Sequence, residues 1–227
     1  ARCTVGSYDR NRLVQLFREL QFFRVLDRLQ ELGEGRPSES VSLAAGDLEY
    51  DLVSTAAALE QAVNVLVQSA SFVVHPVVRY LGREQAEMVG LALCIPAGKT
   101  YYLPLGRGSS MWSQGLDLQS ALGMLRPLLS DTRLAKSAHD AKEVLSRLLD
   151  QEIGLANLEF DTMIAGYLLG EKNLSLKALA LGRLGVELTP SAELVSSKRG
   201  LIADDNLPQV AKAACTEAVT ICRLQPL

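Results

Sequence analysis

Met88-Val89-Gly90-Leu91-Ala92-Leu93-Cys94-Ile95-Pro96-Ala97-Gly98-Lys99-Thr100-Tyr101-Tyr102-Leu103-Pro104-Leu105 is two short apolar runs separated by four turn-forming residues. Runs of that length, bounded by Pro and Gly, read as two buried strands joined in a hairpin. Just before them, Ser71–Val78 carries a third strand, rich in β-branched residues. Upstream of that strand, Ser54 or Thr55 caps a helix running to about Gln68, with Ala56, Leu59, Val63, Leu66 and Val67 on one stripe. Downstream, the helical period returns over Leu116–Leu129. A short strand is expected at Arg133–Lys136 and a helix over His139–Leu149. Three more helices are expected, over Asp161–Leu169, Ser175–Leu184 and Asp205–Leu224. A meander of strands followed by alternating strand and helix predicts an α/β domain with a mixed central sheet flanked by helices.

The N-terminal part reads differently. Leu13, Leu16, Phe17, Leu20, Phe23, Leu26 and Leu29 recur at helical spacing, which predicts one amphipathic helix over Asp9–Leu32, opened by Asp9 and stopped by Gly33. Residues 34–46 mix Gly, Ser, Pro and Glu without period and read as a linker. The expected organisation is thus a helix in 1–33, a linker in 34–46 and a domain over 47–227. Ala1 is not an initiator methionine and no signal-peptide pattern follows it, so a piece of a longer protein is expected.

Composition narrows the function classes. The 227 residues are 48% hydrophobic and 22% charged, enough apolar surface for a core and enough charge to stay in water. No apolar run approaches the roughly 20 residues that cross a bilayer, so no membrane partner is expected. The net charge is −3 and the pI about 5.5, which disfavours autonomous gripping of a nucleic-acid backbone. Cys3, Cys94, Cys215 and Cys222 form no C-x-x-C pair and read as four reduced thiols of a cytosolic protein. Cys215 and Cys222, seven apart on one helix face, read as small buried hydrophobes.

Six segments carry a family likeness: Met88–Leu93, Gly98–Leu105, Leu125–Leu129, Lys136–Lys142, Phe160–Leu169 and Leu176–Ala180. In this order and spacing, over about Val53–Leu224, the chain resembles the proofreading 3′–5′ exonuclease domain of bacterial DNA polymerase I, which has a ribonuclease H-like fold. The helix of residues 9–32 resembles the end of the 5′-nuclease region that precedes that domain. The resemblance implies a parent DNA-directed polymerase in a bacterial cytoplasm. It also implies the polymerase domain of the same chain as partner, DNA nearby or weakly bound, and a monomer.

Active members of the family use Mg²⁺, two ions held by four carboxylates, to activate water and stabilise the leaving oxygen. The resemblance puts His75 and Val77 where the first motif has Asp-x-Glu. Val144 stands where the second, after His139-Asp140-Ala141-Lys142-Glu143, has Asp. Lys212 and Thr216 stand where the third has Tyr-x-x-x-Asp. All four carboxylates and the tyrosine are replaced. The expectation is a vestigial site with no catalytic residue, no metal ligand and no cofactor in this segment, the two valines having joined ordinary core packing.

The remaining candidates divide between a catalytic and a structural role. His75, Asp140 and Asp161 could rebuild a one-metal site, but Asp140 and Asp161 read as helix N-caps. Glu143 and Glu217 adjoin lost positions but point about a hundred degrees away from them, and both read as solvated. Trp112 could stack on a base; tucked against its own domain is the expected reading. The expected function is a catalytically inactive scaffold for a DNA polymerase. Two alternatives remain open at this point, an active 3′–5′ exonuclease with relocated metal ligands and a non-catalytic nucleic-acid-binding module.

Overall fold

Three antiparallel strands make the centre of the molecule, and the hairpin of the opening sequence is two of them. The structure, a computed structural model, describes residues 9, 12, 13, 16, 17, 20, 22, 25, 48–82, 85–106, 112, 115–195 and 206–227. Strand β1 (Asp51–Leu52) precedes helix α1 (Ala56–Val67), followed by β2 (Ser71–Tyr80), β3 (Ala86–Cys94) and β4 (Thr100–Gly106). Then come β5 (Leu116–Asp117), α2 (Leu118–Leu129), β6 (Ala135–Ala138), α3 (Ala141–Leu149), β7 (Leu158–Asp161) and α4 (Thr162–Leu168). Helix α5 (Leu176–Leu179) runs into a π-helical turn at Ala180–Leu184; α6 (Ser191–Val195) and α7 (Leu207–Leu224) complete the chain.

The sheet is mixed, as expected, in the order β1-β4-β3-β2-β6-β7, with β5 pairing β4 off that path. β2–β3 and β3–β4 are antiparallel; the other pairings are parallel. The hairpin turn closes by Gly98 N–H donating to Ile95 O (2.9 Å) and Ile95 N–H to Lys99 O (3.0 Å). Ala97, not Gly98, takes the left-handed conformation there, at φ 54°.

Alternation along β2 divides the core. Phe72 and Val74 face a cluster built with Leu59 and Leu66 of α1, Leu118, Leu122 and Leu125 of α2 and Val144 and Leu148 of α3. Val73 and Val77 face a second cluster with Tyr102, Trp112, Leu176 and Leu179 of α5 and Val210, Ala214, Ala218 and Ile221 of α7. Helices therefore cover both faces of the sheet. Each fully buried leucine contributes about 1.5–3 kcal/mol, so the two clusters supply most of what holds the layers together.

Several boundaries differ from expectation for local reasons. The strand expected at Arg133–Lys136 begins two residues later, because Asp131 Oδ1 accepts the Arg133 N–H (2.8 Å) and holds that segment in a turn. Helix α2 starts at Leu118, since Leu116 and Asp117 pair with β4 and the Asp117 carboxylate caps the helix through Ser120 N–H (2.9 Å). β7 alternates apolar and polar residues over Leu158-Glu159-Phe160-Asp161, but four residues are too few to read as a strand by pattern, and its pairing with β6 makes it one. Asp205 lies outside the described residues, and α7 begins at Leu207 with Pro208 in its first turn.

The single helix expected over Asp9–Leu32 is interrupted. Residues 12, 13, 16 and 17 are helical, but Leu20 is in a turn and Phe22 is outside any helix, its N–H bonding Phe17 O at 2.8 Å. That i→i−5 closure is a helix ending, and Val25 is helical again beyond it. Leu13 and Phe17 pack against buried Leu181. Residues 34–46, read as a linker, lie outside the described residues.

Candidate functional site

Because β2 alternates, His75 shares a face with Val73 and Val77 and points toward α7. Its Nε2 lies 3.1 Å from Glu217 Oε2, with 14% and 8% of the two side chains exposed. The Ser191 backbone N–H at the start of α6 donates to the same Oε2 (3.2 Å), and the Ser191 hydroxyl bonds this carboxylate too. Glu217 is therefore buried and partnered, which corrects its reading as solvated. Burial alone pushes its carboxyl up, but the His75 charge and the hydrogen bonds from His75 and Ser191 outweigh it and hold Glu217 below the ordinary glutamate value. The sequence carried a sign of this. Val210, Ala214, Glu217, Ile221 and Leu224 form one buried helical stripe, and a carboxylate inside such a stripe requires a partner.

A second polar group forms where β6 and β7 end beside each other. Asp161 caps α4 by accepting Met163 N–H (2.7 Å) and also accepts Asp140 N–H (3.2 Å) and Ala141 N–H (2.7 Å) at the start of α3. Asp140, in the left-handed region at φ 54°, caps α3 through Glu143 N–H (3.3 Å). Both aspartates are thus helix caps, as expected, and Asp161 serves two helices at once. His139 Nδ1 lies 2.9 Å from Thr162 Oγ1. Burial first, then the nearby His75, lowers the His139 pKa, and the charges of Asp161, Asp140 and Glu217 oppose that shift. The fold thereby gathers both histidines and three carboxylates into one electrostatic neighbourhood.

The positions taken from the family motifs fare as follows. Val77 and Val144 are each 1% exposed, Val77 in the cluster under α7 and Val144 in the cluster under α3. Lys212 is exposed, and the Thr216 hydroxyl donates to Lys212 O (2.7 Å). From α7 it is Glu217, one residue beyond Thr216, that reaches β2. Glu143 is half-buried rather than solvated, accepting the Tyr80 hydroxyl at 2.6 Å and lying 3.8 Å from Arg147. Trp112 is tucked against its own domain, 4% exposed, its indole N–H donating to Val89 O (2.9 Å).

This donor set does not fit two divalent ions. The five implied positions offer one imidazole already facing a carboxylate, two valines, an ammonium and a hydroxyl. The oxygens of Asp161 are directed at backbone N–H groups. Among the described residues, no group of three or more His, Cys, Asp or Glu is arranged to hold a metal ion.

Cys94, Cys215 and Cys222 are free thiols, as expected, and Cys3 lies outside the described residues. Cys215 is fully buried, as expected of a small hydrophobe, whereas Cys222 is only half-buried, and its Sγ lies 3.4 Å from Cys94 Sγ. Among the described residues, no helix is long and apolar enough to cross a membrane.

Comparison with known proteins gives no matching family model. Over most of its length, however, the chain is similar to proteins named DNA polymerase I. That of Pseudomonas aeruginosa is 28% identical over 79% of this chain and 20% of its own length. That of Chloroflexus aurantiacus is 26% identical over 97% of this chain and 26% of its own length. The chain thus spans about a fifth to a quarter of these relatives. Among solved structures, Escherichia coli RNase D, an exoribonuclease, superposes with a TM-score of 0.57 at 14% identity, over 79% of this chain and 45% of that one. Pol1 of M. smegmatis, in a complex with DNA primer-template and dNTP, superposes with a TM-score of 0.53 at 20% identity, over 74% of this chain and 25% of that one. The fold is ribonuclease H-like, of the 3′–5′ exonuclease type, and homologues named DNA polymerase I cover most of the chain.

Proposed function

We propose that this chain is a catalytically silent 3′–5′ exonuclease-like domain of a DNA polymerase I, retained as a scaffold for the polymerase domain of the same parent protein. The observation that carries this reading is the His75–Glu217 pair. An active site of this type needs unpaired carboxylates that converge and repel one another until dications neutralise them. Here the imidazole on β2 and the carboxylate on α7 face each other, and Val77 and Val144 are packed as core. Stability, not metal affinity, is what such an arrangement favours.

In this reading His75, Val77, Val144, Lys212 and Thr216 are vestigial positions, and the segment takes no cofactor. Residues 1–33 are the tail of a 5′-nuclease region, 34–46 a linker and 47–227 the exonuclease-like domain. The chain is monomeric, its partners are the polymerase domain and DNA that passes close by, and its setting is the bacterial cytoplasm.

The test is incubation of the chain with a 3′-overhang primer labelled at its 5′ end in Mg²⁺ and, separately, Mn²⁺. No shortening of the primer is expected in either. Metal-dependent shortening that persists through purification and disappears in His75→Ala or Asp140→Ala establishes instead an active nuclease with relocated ligands.

A further inference from the structure

Cys94 ends β3 at the hairpin turn and Cys222 lies in the last turns of α7, 128 residues later in the chain. The fold brings their sulfurs to 3.4 Å, with the Cys222 thiol donating to Cys94 Sγ. The Thr100 hydroxyl donates to Cys94 Sγ as well, at 3.3 Å. Cys94 is 3% exposed, whereas Cys222 is half-buried and meets solvent. Nothing in the proposed scaffold role uses this arrangement.

We infer that Cys94 and Cys222 form a redox-active dithiol site that reacts with small-molecule disulfides and closes into an internal disulfide joining α7 to the central sheet. The division of labour follows from access and hydrogen bonding. The reduced pair shares a proton across the 3.4 Å contact; with that proton on Cys94, Cys222, the exposed partner, attacks one sulfur of the small disulfide as thiolate, forming a mixed disulfide and releasing one small thiolate. Cys94 then attacks Cys222 Sγ, forming the Cys94–Cys222 bond and releasing the second small thiolate. The two cysteine protons go to the two released thiolates. The protein dithiol loses two electrons and the small disulfide gains them.

Once Cys222 is carried in the mixed disulfide it no longer donates, and the Thr100 hydroxyl, 3.3 Å from Cys94 Sγ, is the donor that favours the resolving thiolate. In the reduced pair the hydrogen bond from Cys222 is the largest cause lowering the Cys94 pKa, burial opposing it and Thr100 adding to it, while the same bond and then burial push the Cys222 thiol well up. The sulfurs are already in contact, and closing the bond shortens their 3.4 Å separation to about 2 Å. A long loop is then closed, which restricts the unfolded chain most.

The experiment is equilibration of the reduced chain with oxidised glutathione, followed by thiol counting, peptide mapping without reductant and a melting curve. The expected result is loss of two of the four thiols, a cross-linked peptide pair holding Cys94 and Cys222, and a melting temperature higher by roughly 5–10 °C. Cys94→Ser is expected to stop at a stable glutathione adduct on Cys222. Mapping the unsubstituted chain decides the matter without relying on that variant. A glutathione adduct left unresolved on Cys222, a bridge through Cys3 or Cys215, or four unmodified thiols overturns the inference.

Discussion

His75 on β2 and Glu217 on α7 are 142 residues apart in sequence and 3.1 Å apart in space. Their pairing ties the sheet to the helix that covers it, and Ser191 of α6 joins through the same carboxylate oxygen. A buried carboxylate that lost this partner would keep its desolvation cost with nothing to offset it.

Glu217→Gln is therefore expected to lower stability at pH 7 by about 1–3 kcal/mol, and Glu217→Ala by about 3 kcal/mol, measured by urea denaturation. The pH dependence has a definite sign. The folded-state pKa of Glu217 is depressed, so its contribution is complete above the ordinary glutamate value of 4.5 and is lost as pH falls below it. His139 acts higher: its depressed folded-state pKa means the unfolded chain takes up the proton first, so stability falls as pH drops through 6.5. The wild-type melting temperature should decline from pH 7 to 5, and His139→Gln should flatten that stretch. A steeper slope in the variant would contradict the assignment.

Asp161 joins two helix starts, and its loss should exceed that of a single cap. Asp161→Ala is expected to cost about 2–4 kcal/mol, against about 1 kcal/mol for an ordinary N-cap. Asp140 combines a cap with a left-handed backbone, a position that Asn tolerates and Ala does not. Asp140→Asn should stay within about 0.5 kcal/mol of the parent, while Asp140→Ala should cost about 1–2 kcal/mol. Equal costs for the two Asp140 variants in chemical denaturation would refute this role.

The Tyr102 hydroxyl is buried and has no hydrogen-bond partner among the described residues, in a cluster of otherwise apolar side chains. Tyr102→Phe removes an unsatisfied polar group and is expected to leave stability unchanged or raise it by about 1 kcal/mol. Gly90 on β3 explains how the ring fits: a Cβ there would lie 2.2 Å from the Tyr102 hydroxyl oxygen and 2.7 Å from its ring carbon. Gly90→Ala should cost about 2 kcal/mol or more. Thermal melts of both variants check the pair, and a destabilised Tyr102→Phe would mean the hydroxyl is engaged.

Much of this protein was legible before folding was considered. The three central strands, the turn between two of them, and the helices starting at Thr55 and ending at Leu129, Leu149 and Leu224 follow from period, β-branching and caps. These are short-range properties, set by neighbours within one turn or one hairpin. Asp140 and Asp161 were readable as caps for the same reason.

The rest depended on contacts between distant segments. β7 is a strand only because β6 lies beside it, and β1 only because β4 does. The apolar spacing of residues 9–32 runs unbroken through Phe22, whereas the backbone leaves the helix at Leu20 and Phe22 before Val25 is helical again. Adjacency to Thr216 reads Glu217 as solvated, whereas its place in the buried stripe of α7 requires a partner.

By itself, then, the order of residues determined the layered α/β architecture and which side chains stand at positions 75, 77, 144, 212 and 216, because local pattern and residue identity need no third dimension. Tertiary structure alone decided what those side chains meet. Only packing α7 across β2 sets a carboxylate against His75 and a thiol of Cys222 against Cys94, since the energy of a buried charge or sulfur depends on what the fold brings within a few ångströms of it.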